Sequence, residues 1–314
     1  MAEFSIIRQY FQSLTSQSLA STASADVGIG DDCAVSTVPQ DMQLVSCVDT
    51  LVAGRHFSLN TSAHAIGWKS VAVNLSDLAA MGATAHSILL ALSLPNIEDA
   101  WLAEFSRGVA ECCKAYNVQL IGGDTTQSPT LTISITALGW IKTGQAILRS
   151  GAQVDDLIVV SGKIGSAAYA LRHPNSALQA TLDYPKPQLE LGQSLVGFAS
   201  SMIDISDGLA QDLGHILSAS QVGATIQLEQ IPIADELAQL SVEQRFTDVL
   251  AGGDDYQLCF TISPEKFQRW QAQYAQNAMA PGTFIGQIQQ DMACNYFYQK
   301  QKFTSEKSGY QHFA

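Results

Sequence analysis

Short apolar runs alternate with amphipathic stretches of helical length along the first half of the chain. Residues 130–140, TLTISITALGW, alternate strictly between apolar and polar positions, which is typical of a half-buried antiparallel strand. The remaining pattern predicts strands at 43–48, 86–94 and 118–123 and helices at 62–82 and 97–116. This half is therefore expected to be a mixed α and β domain.

A polar segment that contains glycine, residues 144–156, separates this half from the next, and we place a domain boundary near Gly151. The second half is predicted to contain strands at 156–162, 201–206, 224–231, 256–263 and, as the last strand, 284–288, with helices at 165–173, 187–199, 207–220 and 264–275. The expected fold class is α+β, with two mixed α/β domains at 1–150 and 151–314.

Length and composition support two domains and limit the partners. The 314 residues exceed the usual size of one hydrophobic core, and 46% of them are hydrophobic. The net charge of −13 argues against sequence-independent binding of nucleic acid or of an anionic membrane surface. An anionic substrate would need help from a metal ion.

Cysteine usage and the N-terminus indicate a reducing compartment. The six cysteines show no C-x-x-C spacing, so buried free thiols are expected. The opening residues, MAEFSIIRQYFQSL, lack the apolar run of a signal peptide, and no stretch approaches the roughly 20 apolar residues of a membrane span. We therefore expect a cytoplasmic protein.

Six acidic turns recur beside apolar runs that read as strands. They are GIGDD (28–32), CVDT (47–50), NLSD (74–77), IGGDT (121–125), DISDG (204–208) and AGGDD (251–255). If the strand ends converge, one cleft receives the carboxylates of Asp32, Asp49, Asp77, Asp124, Asp204 and Asp207. Such a set of oxygen donors suits a hard cation.

Each turn also has a purely structural interpretation, because Asp and Gly are ordinary residues of turns and helix caps. Asp207 could simply cap the helix that follows it. Asp77 lies inside a predicted helix, three residues after Asn74, so the two side chains share one face. That face is either a solvated surface or part of a functional site.

Carboxylates that bind Mg²⁺ commonly act on nucleotide phosphates, which favours a kinase or a synthetase. The usual nucleotide motifs are absent, since GKIGSAA (162–168) is not a P-loop and GIGDDC lacks the third glycine of G-x-G-x-x-G. No serine hydrolase elbow or histidine-rich zinc motif is present either.

Eight segments resemble, in order and spacing, the thiamine-monophosphate kinase family, within the superfamily of aminoimidazole ribonucleotide synthetase and selenophosphate synthetase. The segments are GIGDDCA, VDTLVAGRHF, VAVNLSDLAAMGA, LIGGDTT, LRSGA, DISDGL, AGGDDYQL and GYQHF. The resemblance implies ATP binding without a P-loop, a homodimer with the N-terminal sheets at its interface, and phosphorylation of thiamine phosphate to thiamine diphosphate.

The resemblance also implies site residues. Mg²⁺ would be bound by Asp32, Asp49, Asp77, Asp124, Asp204 and Asp207, with Cys47 and Val48 contributing backbone at most. ATP would be contacted by Gly123, Asp124, Arg149 and Ser206, and thiamine phosphate by His56, Asp254 and Tyr310. Catalysis would fall to Asp32, Asp77, Asp124 and Asp204. Asp254 departs from the family, in which glutamate is usual at this position.

Three of these residues have simpler alternatives: Arg149 as a surface cation, His56 as a solvated loop residue and Tyr310 as a packing residue of the aromatic tail. A phosphate acceptor is already a competent nucleophile, so direct in-line transfer from ATP needs no strong general base. Two other functions stay open, another ATP-dependent enzyme of the superfamily and a non-catalytic binder of divalent cations. The second is disfavoured because the acidic motifs span about 220 residues, whereas an EF-hand takes its ligands from about 12.

Overall fold

A computed structural model describes residues 6–12, 27–30, 32–274, 282–304 and 309 of the chain. The chain divides into two compact units, the first formed by residues 1–78 and 83–144 and the second by residues 79–82 and 145–314. Each unit has its own sheet. The expected α+β class with two mixed units is confirmed. The predicted division into domains at 1–150 and 151–314 stays a prediction.

The first unit contains a four-stranded sheet in the order β1-β4-β2-β3. Its elements are β1 (Met42–Val52), α1 (Ala63–Ala80), β2 (Thr84–Leu94), α2 (Asp99–Ala115), β3 (Gln119–Gln127) and β4 (Thr132–Lys142), preceded by a π-helical turn at Ile7–Phe11. β2 and β3 run parallel, and α2 is the crossover helix that such a connection requires. The other two strand pairs, β1 with β4 and β2 with β4, are antiparallel.

The two faces of this sheet differ in burial. On β4, Ile133, Ile135 and Ala137 are buried while the residues between them are half-buried, as the strict alternation of 130–140 predicted. On β1, Leu44 is 51% exposed and Val48 is 62% exposed, both on the opposite face from Cys47. The first unit taken alone thus leaves apolar side chains of its sheet uncovered.

Helices α1 and α2 cross at two glycines. A Cβ atom at Gly67 would lie 2.2 Å from the carbonyl oxygen of Phe105, and one at Gly108 would lie 2.0 Å from the carbonyl oxygen of His64. The imidazole Nε2 of His64 also lies 3.0 Å from a carboxylate oxygen of Glu111 on α2. The crossing therefore depends on the absence of side chains at both glycines.

The Gly108→Ala variant is expected to lower the free energy of unfolding by about 1–3 kcal/mol, because the added methyl group forces two backbones apart. Gly214→Ala is the matched control, since Gly214 is also helical but a Cβ there meets no atom within 4 Å. The control should be neutral or stabilising by up to about 1 kcal/mol. Urea unfolding of both variants measures the change in the free energy of unfolding. A Gly108→Ala protein as stable as the wild type would contradict the close approach of α1 and α2 at this glycine.

The second unit contains a seven-stranded sheet in the order β11-β10-β7-β9-β5-β8-β6. Its strands are β5 (Leu157–Val160), β6 (Ser201–Ile205), β7 (Gly223–Gln227), β8 (Gln257–Ile262), β9 (Thr283–Gln289), β10 (Cys294–Tyr298) and β11 (Gln301–Phe303). Its helices are α3 (Ser166–Arg172), α4 (Gln179–Asp183), α5 (Leu189–Ser194), α6 (Leu209–Ser220), α7 (Asp235–Ala238), α8 (Val242–Ala251) and α9 (Pro264–Tyr274).

The apolar face of α6 packs into the core of this unit. Leu209, Leu213 and Ile216 are fully buried, and they belong to the same cluster as Ile203 and Ile205 of β6. The spacing of these α6 residues follows the helical repeat, which is why the sequence predicts the helix correctly. This packing fixes the turn between β6 and α6, residues 206–208, against the core.

Several predictions for the second half were wrong. Residues 284–288 are not the last strand, because β10 and β11 follow. The helix expected at 187–199 is helical only at Leu189–Ser194. The helices α4, α7 and α8 were not predicted, and α8 begins at an N-cap, Ser241, whose side chain accepts a hydrogen bond from the N–H of Gln244.

Candidate active site

A buried asparagine joins β1 to α1 in the first unit. The Oδ1 atom of Asn74 accepts a hydrogen bond from the N–H of Asp49 (3.0 Å), and its Nδ2 donates to the carbonyl of Ser70 (3.0 Å). Asn74 is fully buried and Asp77 is half-buried. The solvated-face interpretation of this stretch is therefore wrong for Asn74, whose polar group ties the helix to the strand.

The Cys47 thiol lies beside two carboxylates. Burial raises the pKa of Cys47, and the nearby charges of Asp77 and Asp49 raise it further. Its Sγ donates to the carbonyl of Asn74 (3.3 Å). The groups here that suit a hard cation are the carboxylates of Asp49 and Asp77, because such ions prefer oxygen ligands to sulfur.

His56 lies in the turn after β1. Its Nδ1 accepts a hydrogen bond from the N–H of Val52 (3.0 Å), and the ring is half-buried. In the neutral imidazole the proton is then carried by Nε2. His56 is thus held by the backbone rather than fully solvated, and Nε2–H is its donor group.

A cleft of about 900 Å³ lies in the first unit, between the π-helical turn, the 28–36 segment and strands β2 and β3. Asp32 and Asp124 both line it, together with Gly123. Gly123 has φ of 153°, and a Cβ atom there would lie 1.9 Å from the carbonyl oxygen of Leu90. Only glycine allows β3 to lie this close to β2 at position 123, immediately before Asp124.

Arg8 also lines the cleft, and sequence reasoning missed it. The signal was available, because Arg8 is one of only 16 basic residues in an acidic chain. Its guanidinium group is suited to a phosphate. The cleft wall therefore carries negative charge from Asp32 and Asp124 and positive charge from Arg8.

The turn at residues 206–208 presents two of the expected residues in the second unit. Asp204 is buried on β6, while Ser206 and Asp207 are half-buried on the turn. The Oδ2 atom of Asp212 accepts hydrogen bonds from the N–H groups of Ser206 (3.0 Å), Asp207 (3.0 Å) and Gly208 (3.1 Å). The turn is therefore held by a residue of α6 that the sequence reading did not single out.

Asp212 is a perturbed acid. Burial, and then the nearby charge of Asp204, raise the pKa of Asp212 to about 7, although the backbone N–H donors oppose the shift. In the sequence, the available signal was an aspartate among the buried apolar positions of an amphipathic helix.

The AGGDD segment lies against the same turn. The N–H of Asp254 donates to the carbonyl of Ser206 (2.9 Å), and the phenol of Tyr256 donates to Asp254 Oδ1 (2.9 Å). A Cβ atom at Gly309 would lie 3.2 Å from the carbonyl oxygen of Asp207, so Gly309 also lies beside this turn. Tyr310 itself lies outside the described residues.

The adjacent acid, Asp255, has a different role. It is buried and accepts hydrogen bonds from the N–H groups of Gly165 (2.6 Å) and Ala167 (3.2 Å) at the start of α3. Burial raises the pKa of Asp255 to about 7, and the neighbouring Asp254 adds to the shift. Asp255 is therefore a structural cap, while Asp254 is half-buried beside the turn.

Arg149 is exposed and lies beside β6. The preceding carbonyl, of Leu148, accepts a hydrogen bond from the N–H of Met202 on that strand (3.0 Å). The carbonyl of Arg149 accepts from Ser220 Oγ at the end of α6 (3.3 Å). Arg149 thus borders the two elements that flank the 206–208 turn.

Within the units, most of the expected residues fall into three groups, which do not include His56 and Arg149. The first group lies at Cys47 and contains Asp49 and Asp77, while Val48 is exposed on the other face of β1. The second group lines the cleft and contains Asp32, Gly123 and Asp124. The third group lies at the 206–208 turn and contains Asp204, Ser206, Asp207 and Asp254. Among the described residues, no three His, Cys, Asp or Glu side chains gather into a metal-binding cluster. The ligand assignments stay predictions.

None of the described helices combines the length and the apolar character needed to cross a membrane.

Two family models match the chain, one in each half. Residues 30–141 match "AIR synthase related protein, N-terminal domain", and residues 153–294 match "AIR synthase related protein, C-terminal domain". The two matches together cover most of the chain.

Relatives and solved structures agree with these matches. The thiamine-monophosphate kinase of Haemophilus influenzae is 43% identical over 84% of this chain and 83% of its own length. The crystal structure of the Stenotrophomonas maltophilia thiamine-monophosphate kinase has a TM-score of 0.85 and 37% identity, covering 96% of this chain and 98% of that one. The complex of AaThiL with AMPPCP and TMP has a TM-score of 0.76 and 26% identity, covering 99% and 97%. These similarities extend over both units.

Proposed function

The chain belongs to the thiamine-monophosphate kinase family of the AIR synthase related proteins, and on that premise we propose that it transfers the γ-phosphoryl group of ATP to thiamine phosphate. The products are ADP and thiamine diphosphate. The observation that carries the proposal is the cleft of the first unit, which brings Asp32, Gly123 and Asp124 together in a volume suited to a nucleotide. The relative solved with AMPPCP and TMP supports the pair of substrates.

The donor chemistry of the site fits Mg²⁺. Asp49 and Asp77 both lie close to the Cys47 thiol, and their carboxylate oxygens are the kind of ligand that Mg²⁺ prefers. We assign Mg²⁺ binding to Asp32, Asp49, Asp77, Asp124, Asp204 and Asp207, with Cys47 and Val48 giving backbone contacts at most. When bound, Mg²⁺ offsets the charge of the phosphates and aligns them for transfer.

The residues of the chain bind and orient two anions. Arg149, Ser206, Gly123 and Asp124 are assigned to ATP, and the guanidinium of Arg149 matches a phosphate group. His56 is assigned to thiamine phosphate, and because its Nδ1 accepts the N–H of Val52, a hydrogen bond to the substrate phosphate would be donated by Nε2.

The acceptor phosphate needs no strong general base, since its oxygen is already a nucleophile at neutral pH. We therefore propose direct in-line transfer without a phosphoenzyme, in which catalysis comes from positioning and from neutralised charge.

The exposed apolar face of the first unit supports a homodimer. Leu44 and Val48 project from β1 on the face of the sheet opposite Cys47, and exposed apolar side chains on one face of a sheet favour an interaction site there. We propose that two copies pair these sheets. Because all six cysteines are free thiols, we also propose a reducing, cytoplasmic location.

The test of the function is ADP release with purified protein, ATP and Mg²⁺, supplied with one acceptor at a time. Thiamine phosphate should give ADP and an equal amount of thiamine diphosphate, identified by mass spectrometry. The acceptors of aminoimidazole ribonucleotide synthetase and selenophosphate synthetase serve as the alternatives within the superfamily. ADP release with one of those acceptors alone, or with none, would refute the assignment.

Recognition of the acceptor is expected to be separable from ATP binding. Asp254→Ala and Tyr310→Ala should each raise the KM for thiamine phosphate roughly tenfold, about 1.4 kcal/mol, and leave the KM for ATP nearly unchanged. Asp254→Glu, which restores the usual family residue, should be tolerated. The matched control is Asp155→Ala, because Asp155 and Asp254 both have left-handed backbone, with φ of 73° and 67°. Equal effects on both substrates would contradict this division.

A further inference from the structure

We propose that Asp212 is a positioning residue, which holds the 206–208 turn so that Ser206 and Asp207 face the nucleotide and its metal. The inference rests on the proposed function for the roles of Ser206 and Asp207. Its structural basis is independent of that function: a single oxygen of Asp212 accepts three consecutive backbone N–H groups. Asp212 is only 2% exposed, so no solvent competes for these bonds.

Consecutive N–H groups in a turn form a concave site that binds anions, and many proteins use such a site for phosphate. Here the anion comes from the chain itself. Because Asp212 Oδ2 occupies all three donors, the backbone of the turn has no N–H left for a phosphate oxygen. The turn instead offers the hydroxyl of Ser206 and the carboxylate of Asp207, which are the groups that a metal-bound nucleotide needs.

Two further contacts fix the turn from other directions. The residue next to Asp212 on α6, Gln211, donates from Nε2 to Asp207 Oδ2 (2.8 Å), which orients that carboxylate. The carbonyl of Ser206 accepts from the N–H of Asp254 (2.9 Å). Asp212 thus sets the backbone of the turn, and Gln211 sets the side chain that the turn carries.

Asp156 supplies a matched control in the same unit. It is also buried, and its Oδ2 accepts a backbone N–H, that of Gln153 (2.9 Å). It lies in the segment before β5 and has no bond to the 206–208 turn. Asp212→Ala leaves three backbone N–H groups without their acceptor and Asp156→Ala leaves one, so Asp212→Ala should lose more stability. Only Asp212→Ala should also lose the positioning of the 206–208 turn, which is what the control separates from a loss of stability.

The experiment measures equilibrium binding of Mn²⁺ by electron paramagnetic resonance, in the presence of AMPPCP, for the wild type, Asp212→Ala, Asp212→Asn and Asp156→Ala. Asp212→Ala should bind Mn²⁺ at least about tenfold more weakly and require more Mg²⁺ for half-maximal turnover. Asp212→Asn keeps the shape and one acceptor oxygen, so it should recover part of the affinity. Asp156→Ala should bind Mn²⁺ as the wild type does, whatever its melting temperature.

Wild-type Mn²⁺ affinity in a folded Asp212→Ala protein would overturn the proposal and leave Asp212 a stabilising residue only. If Asp212→Ala does not fold, Asp212→Asn decides: its weaker, neutral acceptor should still reduce Mn²⁺ affinity measurably, and unchanged affinity would overturn the proposal. The binding measurement needs no thiamine phosphate. Failure of the proposed function would appear separately, as wild-type protein that binds Mn²⁺ and AMPPCP but does not phosphorylate thiamine phosphate.

Discussion

Removing divalent metal with excess chelator is expected to reduce phosphoryl transfer by about a thousandfold or more. The reason is electrostatic. The chain carries a net charge of −13, and Asp32 and Asp124 line the cleft proposed for ATP. Without a cation, these carboxylates would repel the triphosphate and the acceptor phosphate. Turnover should return when Mg²⁺ is added beyond the chelator.

The control uses the same chelator already saturated with Mg²⁺, which should leave turnover unchanged. The fold should survive chelation, because the core of the second unit is formed by apolar side chains, such as Ile203, Leu213 and Ile216, and not by metal ligands. Circular dichroism and thermal unfolding would verify that point. Full turnover in excess chelator would contradict the magnesium assignment.

The strands that the sequence predicts best are those whose burial pattern is local. On β4, alternate residues are buried, and this period of two can be read directly from TLTISITALGW. The same holds for α6, whose buried residues follow the helical repeat. In both cases one face of the element packs against a core, so the order of apolar and polar residues along the chain predicts the type of element.

The hairpin formed by β10 and β11 could not be predicted in this way. Its two-residue turn is made by Gln299 and Lys300, which have φ of 50° and 67°. Left-handed backbone in such turns usually comes with Asn or Gly, and neither is present here. The sheet pairing of β10 with β7 stabilises a turn that its own residues do not favour.

For the candidate site, the acidic motifs were visible in the sequence but their supports were not. The sequence left the face of Asn74 open between a solvated surface and a functional site, and only the contact between α1 and β1 shows that Asn74 is buried and accepts the N–H of Asp49. Asp212 looked like an ordinary polar position of a helix, and its role depends on three N–H groups of a turn. The position of Asp212 on the buried face of α6 shows in the helical repeat, but the tertiary hydrogen bonds that these two residues make do not.

Asp77→Asn is expected to lower kcat by about a thousandfold while the protein stays folded. The substitution keeps the size of the side chain and removes its charge, so it tests the electrostatic role directly. Asp77 lies one helical turn after Asn74, close to the Cys47 thiol that also lies near Asp49. If this pair of carboxylates binds the metal, losing one of the two charges weakens the site that holds the phosphates.

The control for Asp77→Asn is Asp99→Asn, in the same unit. Asp99 begins α2, and its Oδ1 accepts a hydrogen bond from the phenol of Tyr10 (3.0 Å), so it is an acid with a structural partner. Its substitution should change stability by no more than about 1–2 kcal/mol and leave kcat near the wild-type value. Steady-state kinetics, thermal unfolding and Mn²⁺ binding on both variants separate the roles. A folded Asp77→Asn protein with near-normal kcat and Mn²⁺ affinity would remove Asp77 from the metal site, and its position beside Asn74 would then be purely structural.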